Sequence, residues 1–359
     1  MSSTADAHVL GYAGAAPVAP VAGVYPRDAG HNNDTPPELS VVVPCYNETE
    51  CVEQFHERTV AACEARGHRF EIVYINDGSK DDTLAKLTTL AHTDPHGRVV
   101  VVNLSRNHGH QLALTAGLTV ARGQRILVLD ADLQDPPELL GPMWDKMDAE
   151  QLDVVYGQRK KRDGETVFKL FTAAMFYRVI SRMSETDIPQ DTGDFRLMSR
   201  RALDALLAMG EHHRFVRGMV SWVGFRQAAY QYDRDSRFAG DTKYPITKMV
   251  RFAVDAITSF SVKPLRFGTY VGLFFSCVVA PLLLIYAVLS WLVFESEPGW
   301  PSLLCVTALL SGIQLLVLGI IGEYVGRTFE QVKRRPLFII SDVVRGTAST
   351  RDDAPTLPS

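Results

Sequence analysis

The chain has 359 residues, 46% hydrophobic and 22% charged, which excludes an intrinsically disordered protein and leaves room for an ordinary domain plus further segments. A formal net charge of −4 and a pI near 6.2 give no overall pull toward nucleic acid, so no nucleic-acid partner is expected and any charge attraction must be local. The five cysteines, Cys45, Cys51, Cys63, Cys277 and Cys305, form no CxxC pair, which argues against a disulfide framework or zinc site and fits a reducing compartment.

Residues 1–38 are rich in Ala, Pro and Gly without sustained periodicity and read as a disordered N-terminal tail; Pro and Gly interrupt every apolar run, unlike a signal peptide. From Leu39, short apolar runs ("LSVVVP", "FEIVYI", "RVVVVNL", "RILVL", "DVVYG") alternate with helix-period segments. Continuous apolar strands separated by helices predict an α/β domain over 39–240, with a mostly parallel sheet covered by helices on both faces. Ligands of such sheets bind beyond the carboxyl ends of the strands.

The polar residues cluster at those ends: "PCYNE" after the first strand, "NDGS" after the second, "SRNHGH" after the third and "DADLQ" after the fourth. One rim therefore collects Asn47, Glu48, Asp77, Asp130 and Asp132. Bunched carboxylates repel unless a cation or a donor-rich ligand joins them. Asp132 and Gln134 are alternate residues and in extended conformation project to one side, an oxygen-only pair suited to magnesium or manganese. Asp135 and the following Pro-Pro are expected to cap and start the next helix, while Ser79 and Asp81 read equally well as helix caps or as site residues.

Further along, "YPITKMVRFAVDAITSFSVKPLR" places apolar residues at helical spacing among basic ones, so 241–266 reads as an amphipathic helix in the membrane interface, packed on the domain, or both. Phe267 to Phe294 and Pro298 to Gly322 carry no charged side chain, and each can cross a hydrocarbon core of about 30 Å. Transmembrane helices are therefore predicted at 267–294 and 299–323, followed by a C-terminal tail at 324–359. Lys248, Arg251, Lys263 and Arg266 precede the first, Arg327, Lys333, Arg334 and Arg335 follow the second, and the connection is acidic. By the positive-inside rule this is a multi-pass protein of the cytoplasmic membrane with its α/β domain and both termini cytoplasmic. Such placement suits a lipid ligand with its reactive group at headgroup level. Arg159, Lys169, Arg234, Arg237 and Lys243 are candidates to hold a phosphate there.

The ordered set "VVVPCYNE", "INDGSKDDT", "LSRNHGHQLALTAGL", "LDADLQDPPE", "TGDFRLM" and "RFAGDTKYP" resembles the motifs of family 2 glycosyltransferases, specifically the polyprenyl-phosphate glycosyltransferases similar to dolichol-phosphate mannose synthase, over roughly Leu39 to Leu337. The resemblance implies a GT-A type fold, with Pro44, Tyr46, Asn47, Glu48, Asp77, Asp130 and Ala131 around the nucleotide sugar, and Asp132 and Gln134 at the metal and diphosphate. It also implies a phosphate-binding role for Arg159 and a homo-oligomer. Asp194 matches the acid placed near the acceptor, either as general base or as an orienting group, with pairing to Arg196 as the structural alternative. His108 stands where relatives often carry an aromatic residue and reads as a loop variant. The "QxxRW" signature of processive synthases is missing, so the expected reaction is one inverting sugar transfer from a nucleotide sugar, UDP-glucose by resemblance, to polyprenyl (undecaprenyl) phosphate. Galactose, N-acetylhexosamine, aminoarabinose or mannose require only pocket changes. An inactive nucleotide-sugar-binding scaffold and a lipid-linked sugar flippase are the readings from other classes.

Overall fold

The computed structural model describes residues 23–24, 35–159, 192–233, 263–279, 281–283, 285–286, 289 and 300–346. Lys169, Arg234, Arg237, Lys243 and the predicted interfacial segment up to residue 262 lie outside the described residues.

Strands β2 (Leu39–Cys45) and β3 (Phe70–Asn76) are buried at every position, as continuous apolar runs covered on both faces must be. With β4 (Val99–Leu104) and β5 (Arg125–Val128) they form a parallel core in the order β4-β3-β2-β5. Helices α1 (Val52–Arg66), α2 (Thr83–Thr93) and α3 (His110–Val120) make the crossovers. Close packing of α3 depends on Gly117, where a Cβ would lie 2.3 Å from Ile75 Cδ1 and 2.7 Å from Val42 Cγ1.

Beyond β5 come α4 (Leu140–Ala149), β6 (Val154–Arg159), β7 (Thr192–Ser199), α5 (Arg200–Ala208), α6 (Val216–Val223) and β8 (Gln227–Tyr232). Strand β7 runs antiparallel between β5 and β6. Two reversals return β6 to the direction of the core, so Arg159 ends at the same rim as the core strands, and β7 begins there with Thr192 to Asp194.

The two terminal segments depart from expectation. Residues 324–346 are not a tail: α8 runs from Trp300 to Lys333, and the chain then forms β9 (Phe338–Arg345), antiparallel to β4. Leu337, Phe338 and Ile340 are buried against the sheet. The reason is an exposed edge: β4 would otherwise present unpaired backbone groups. Nor is residues 1–38 uniformly without structure, because Gly23–Val24 (β1) pairs parallel with β9 and completes a nine-stranded sheet.

Helix α8 has 34 residues, carries no charged side chain from Trp300 to Gly322, and contains a window of mean hydropathy 1.7 within Leu309–Lys333. Among the described residues it is the one helix long and apolar enough to cross a membrane. The segment expected as the first span begins in α7 (Lys263–Phe274), continues as a π-helical turn over Phe275–Val279, and is described only in part beyond. Gly268 of α7 makes the close approach to α8, where a Cβ would lie 3.3 Å from Val317 Cγ1.

If β9 belongs to the domain core, truncating its most buried side chain has a core-sized cost. Phe338→Ala is expected to lower the stability of the sheet domain by about 3–5 kcal/mol in denaturant unfolding, whereas a dispensable tail would give no measurable change.

Candidate functional site

From β2 the core crosses first toward β3 and β4 and later back to β5, so the carboxyl ends of β2 and β5 flank the point where strand order reverses. Open α/β sheets form their ligand crevice there. A cavity of about 860 Å³ occupies this place, walled by Pro44, Tyr46 and Glu48 after β2, Asp77 after β3, and Asp130, Ala131 and Asp132 after β5.

The loop after β2 is held from below. Asn47 sits in the left-handed region at φ 56°, its N–H donates to Ser79 Oγ (3.1 Å), and its Oδ1 accepts from Lys80 N–H (2.9 Å). Asp81 accepts from the hydroxyls of Thr49 and Thr83, both at 2.6 Å. Ser79 and Asp81 thus tie two loops together, and Asn47, expected at the nucleotide, spends its side chain on the same task and is not on the cavity wall. Asp77 lines the cavity and also accepts from the N–H groups of His108 (2.7 Å) and Gly109 (2.9 Å), fixing the loop after β4. Burial raises its pKa in spite of those bonds. Gly109 supplies the positive φ of 92° that turns this loop into α3.

After Asp132 the chain is not extended. Leu133 takes φ 60° because its side chain is buried in the core, and Gln134 N–H donates to Asp132 Oδ1 at 3.1 Å. This turn separates the expected metal pair: the cavity wall carries Asp130 and Asp132, while Gln134 is not part of it. Asp135 is not a helix cap either. It is wholly buried and accepts from Tyr232 of β8 at 2.5 Å, with Arg159 at its side near Gly193. Arg159 reaches the rim but is not on the cavity wall.

The acids fit an oxygen-seeking cation. Among the described residues the buried Asp130 Oδ1 has no hydrogen-bond partner, His110 Nε2 standing 3.6 Å from it, and Asp132 shares its wall. Burial, with Asp194, Asp135 and Asp132 nearby, pushes Asp130 up to about 6 against the opposing pull of His110. Among the described residues no group of three or more His, Cys, Asp or Glu is placed to hold an ion alone. Asp130 and Asp132 are the carboxylates that would be offered to a magnesium-like ion, which takes one or two and completes its shell from water and phosphate.

Asp194 is 1% exposed and lines the same cavity, with His110 Nε2 between it and Asp130. Arg217 of α6 grips it through Nε to Oδ1 (2.9 Å) and Nη2 to Oδ2 (3.2 Å). His110 Nε2 lies 2.9 Å and Gln111 Nε2 3.1 Å from Oδ2. Burial alone would raise its pKa, but the charge of Arg217, hydrogen bonds from His110 and Arg217, and the charge of Arg196 hold it well below the carboxylate range. Arg196 is the lesser partner: its hydrogen bonds go to the carbonyls of Asp194 (3.2 Å) and Gly193 (3.1 Å), and its Nη2 stays 3.7 Å from the carboxylate. His110 is also 3.6 Å from Asp130, and although burial lowers its pKa, its carboxylate neighbours raise it overall.

Sequence reasoning missed His110, Gln111 and Arg217. The first two were findable, as consecutive polar residues opening a helix directly after a strand-end loop; Arg217 carries no local signal because only the tertiary fold brings α6 to the cavity.

This fold and site define a GT-A-like α/β protein. Residues 40–207 match the glycosyl transferase family 2 model, and the chain belongs to that family. It is 46% identical to the Bacillus subtilis (strain 168) glycosyltransferase YkcC, covering 84% of this chain and 93% of that protein. It is 40% identical to the prophage bactoprenol glucosyl transferase homolog of Escherichia coli (strain K12), covering 85% and 99%, and 39% identical to the bactoprenol glucosyl transferase of Shigella phage SfII, covering 86% and 99%. Among solved structures, the mannosyltransferase PcManGT of Pyrobaculum calidifontis, in complex with GDP-Man and Mn2+, aligns at TM-score 0.42 and 17% identity over 84% of this chain and 90% of that one.

A depressed carboxylate contributes stability that is present above its unfolded pKa near 3.9 and lost as pH falls through the folded value. Arg217→Met removes the foremost of the groups lowering Asp194, so its pKa rises and acid destabilisation begins at higher pH than in the wild type. At neutral pH the same variant leaves a buried charge with weaker compensation, and denaturant unfolding is expected to show a loss of about 3–5 kcal/mol. An unchanged acid limb would remove Arg217 from this role.

Proposed function

We propose that this family 2 member transfers one sugar from UDP-glucose to undecaprenyl phosphate at the cytoplasmic membrane face, with inversion at the anomeric carbon. One observation carries the reading: the sheet whose rim holds the acidic cavity is joined, through β9, to a helix apolar and long enough to cross a bilayer. The names of relatives about 40% identical over nearly their whole length, bactoprenol glucosyl transferases, support the acceptor and the sugar.

In this reading Pro44, Tyr46, Glu48, Asp77, Asp130 and Ala131 surround the nucleotide sugar. Asp132, with Asp130 beside it, would hold a magnesium or manganese ion, which supplies positive charge against the diphosphate. The acceptor needs no strong base. A phosphate monoester has a second pKa near 6 and is largely dianionic at neutral pH. Asp194 suits that requirement, since a carboxylate held well below its ordinary range and surrounded by donors is a poor proton acceptor. We assign it to orientation: it holds Arg217, His110 and Gln111 at the cavity, where they face the sugar. Arg159, with Lys169, Arg234, Arg237 and Lys243, receives the acceptor phosphate from the membrane side and aligns its oxygen behind the anomeric carbon. Inversion follows from the single in-line displacement.

The membrane arrangement completes the proposal. The segments predicted at 267–294 and 299–323 cross the bilayer, 241–266 lies in its interface, and the domain and both termini face the cytoplasm. Lys333, Arg334 and Arg335 at the end of α8 support that orientation.

The test is transfer of labelled sugar from a panel of UDP- and GDP-sugars to undecaprenyl phosphate by the purified full-length protein. Labelled lipid from UDP-glucose is expected, abolished by EDTA and reduced by Asp132→Ala at least about a hundredfold, the scale of a lost several-kcal/mol electrostatic contribution. Nucleotide binding without transfer from any donor would sink the enzymatic reading in favour of a scaffold, and labelling from one different sugar would correct the donor.

A further inference from the structure

Helix α8 meets the sheet domain at two places. At its end Arg334, with φ 49°, breaks the helix, and the chain passes through Pro336 into β9, where Leu337 and Phe338 are buried. Before that break, Gln331 reaches the loop that precedes α6. Its Oε1 accepts from His212 N–H (2.8 Å), its Nε2 donates to the Gly210 carbonyl (2.6 Å), and Glu330 pairs with His213 at 2.9 Å. A rod joined to a body at one short link can swing about it; a second attachment beside the link fixes its angle.

Both attachments lead to the cavity. On one side, Arg214 is buried and donates to the carbonyls of Met209 (2.8 Å) and Leu206 (3.0 Å), making the gripped loop a rigid extension of α5. The residues that follow, Phe215 and Arg217, are on the cavity wall. On the other side, the Ile339 carbonyl accepts from Ser105 N–H (3.0 Å), and the Leu337 backbone bonds to His108, whose own N–H holds Asp77. The uncharged run of α8 ends at Gly322, and Lys333, Arg334 and Arg335 at the end of the helix are suited to anionic headgroups. The last turn of α8, past the apolar run and beside these basic residues, is attached to both walls of the cavity.

We propose that Gln331, assisted by Glu330, is a positioning residue for the lipid acceptor: its latch to Gly210 and His212 sets the height and tilt of the cavity over the bilayer. The proposal rests on the lipid-phosphate reading above. Gln is suited to the place because one carbonyl and one N–H face it, and a planar amide answers both. An acceptor fixed in a bilayer is sensitive to that alignment, whereas a soluble one reaches the cavity from any direction.

The experiment uses the full chain in proteoliposomes with the donor identified by the panel. Undecaprenyl phosphate is supplied in the bilayer, or a short-chain, water-soluble prenyl phosphate from the aqueous side. Gln331→Ala is expected to lower transfer to the bilayer lipid about fivefold or more, the population change carried by one net hydrogen bond. Transfer to the soluble acceptor should stay within about twofold, as for an ordinary surface substitution. Gln331→Glu, which keeps the acceptor for His212, should fall between. Equal losses with both acceptors would show that the latch only supports the fold, and no loss with either would show that it does nothing; both overturn the proposal. A wild-type protein that labels neither acceptor would instead overturn the lipid-phosphate reading itself.

Discussion

A carboxylate with 1% of its surface exposed must be answered by donors or give up its charge, and the way Asp194 is answered holds the cavity in shape. Taking such a group from water costs several kcal/mol, and one ion pair near a protein surface returns about 4 kcal/mol at 4 Å separation. Several donors are therefore needed, and they come from different elements. His110 and Gln111 open α3, Arg217 opens α6, and Asp194 itself begins β7. Gln111 adds a stitch of its own by accepting from Val216 N–H at 2.9 Å. Three elements that share no local sequence are locked at one point on the cavity wall, and His110 carries that point to within 3.6 Å of Asp130.

The constraint extends to the membrane. Once Arg217 is fixed, Phe215 and the loop from Gly210 to Arg214 are fixed with it, and that loop is where α8 docks. The opposite wall is held through Ser105 and His108 by the chain that leaves α8. Strand β9 covers the edge of β4, so the sheet is complete only when chain from beyond the apolar helix has returned to it. The sheet domain and the apolar helix α8 are consequently joined at two places, through β9 and through the Gly210–His213 loop.

What the sequence made legible follows from the range of each interaction. Buried parallel strands read as continuous apolar runs, and the polar residues at their ends are covalently tied to them, so the rim from Pro44 to Asp132 could be read directly. Asp194 was reached only through a motif resemblance, and Arg217, its principal partner, not at all, because their contact is made by the antiparallel insertion of β7 and the docking of α6. The turn at Leu133 went unread for a related reason: core burial overrides the ordinary preference of Leu for negative φ, and that burial is a tertiary fact. Strand β9 was hidden by its position, since eight residues following a membrane span look like a tail until an unpaired edge is known to exist. Asn47 shows the converse error, a polar residue at the right rim whose bonding capacity is used by its neighbours.

The proposed function requires a cavity walled by acids to accept an anionic diphosphate. The acids are not equivalent. Asp194 is answered by Arg217, His110 and Gln111, so its charge is compensated within the protein, whereas burial still raises the pKa of Asp77 against its two backbone N–H donors. Among the described residues Asp130 keeps a buried oxygen without a hydrogen bond, His110 Nε2 standing 3.6 Å from it, beside Asp132 on the cavity wall, and burial already pushes it toward the protonated form. Two carboxylates crowded in this way are poor company for phosphate and good company for a divalent cation, whose charge offsets theirs and leaves coordination sites for phosphate oxygens. In the proposed function, discrimination in this cavity thus arises from unequal compensation: Asp194, held by its donors, shapes the wall, and the buried Asp130 oxygen would draw the positive charge that a diphosphate follows.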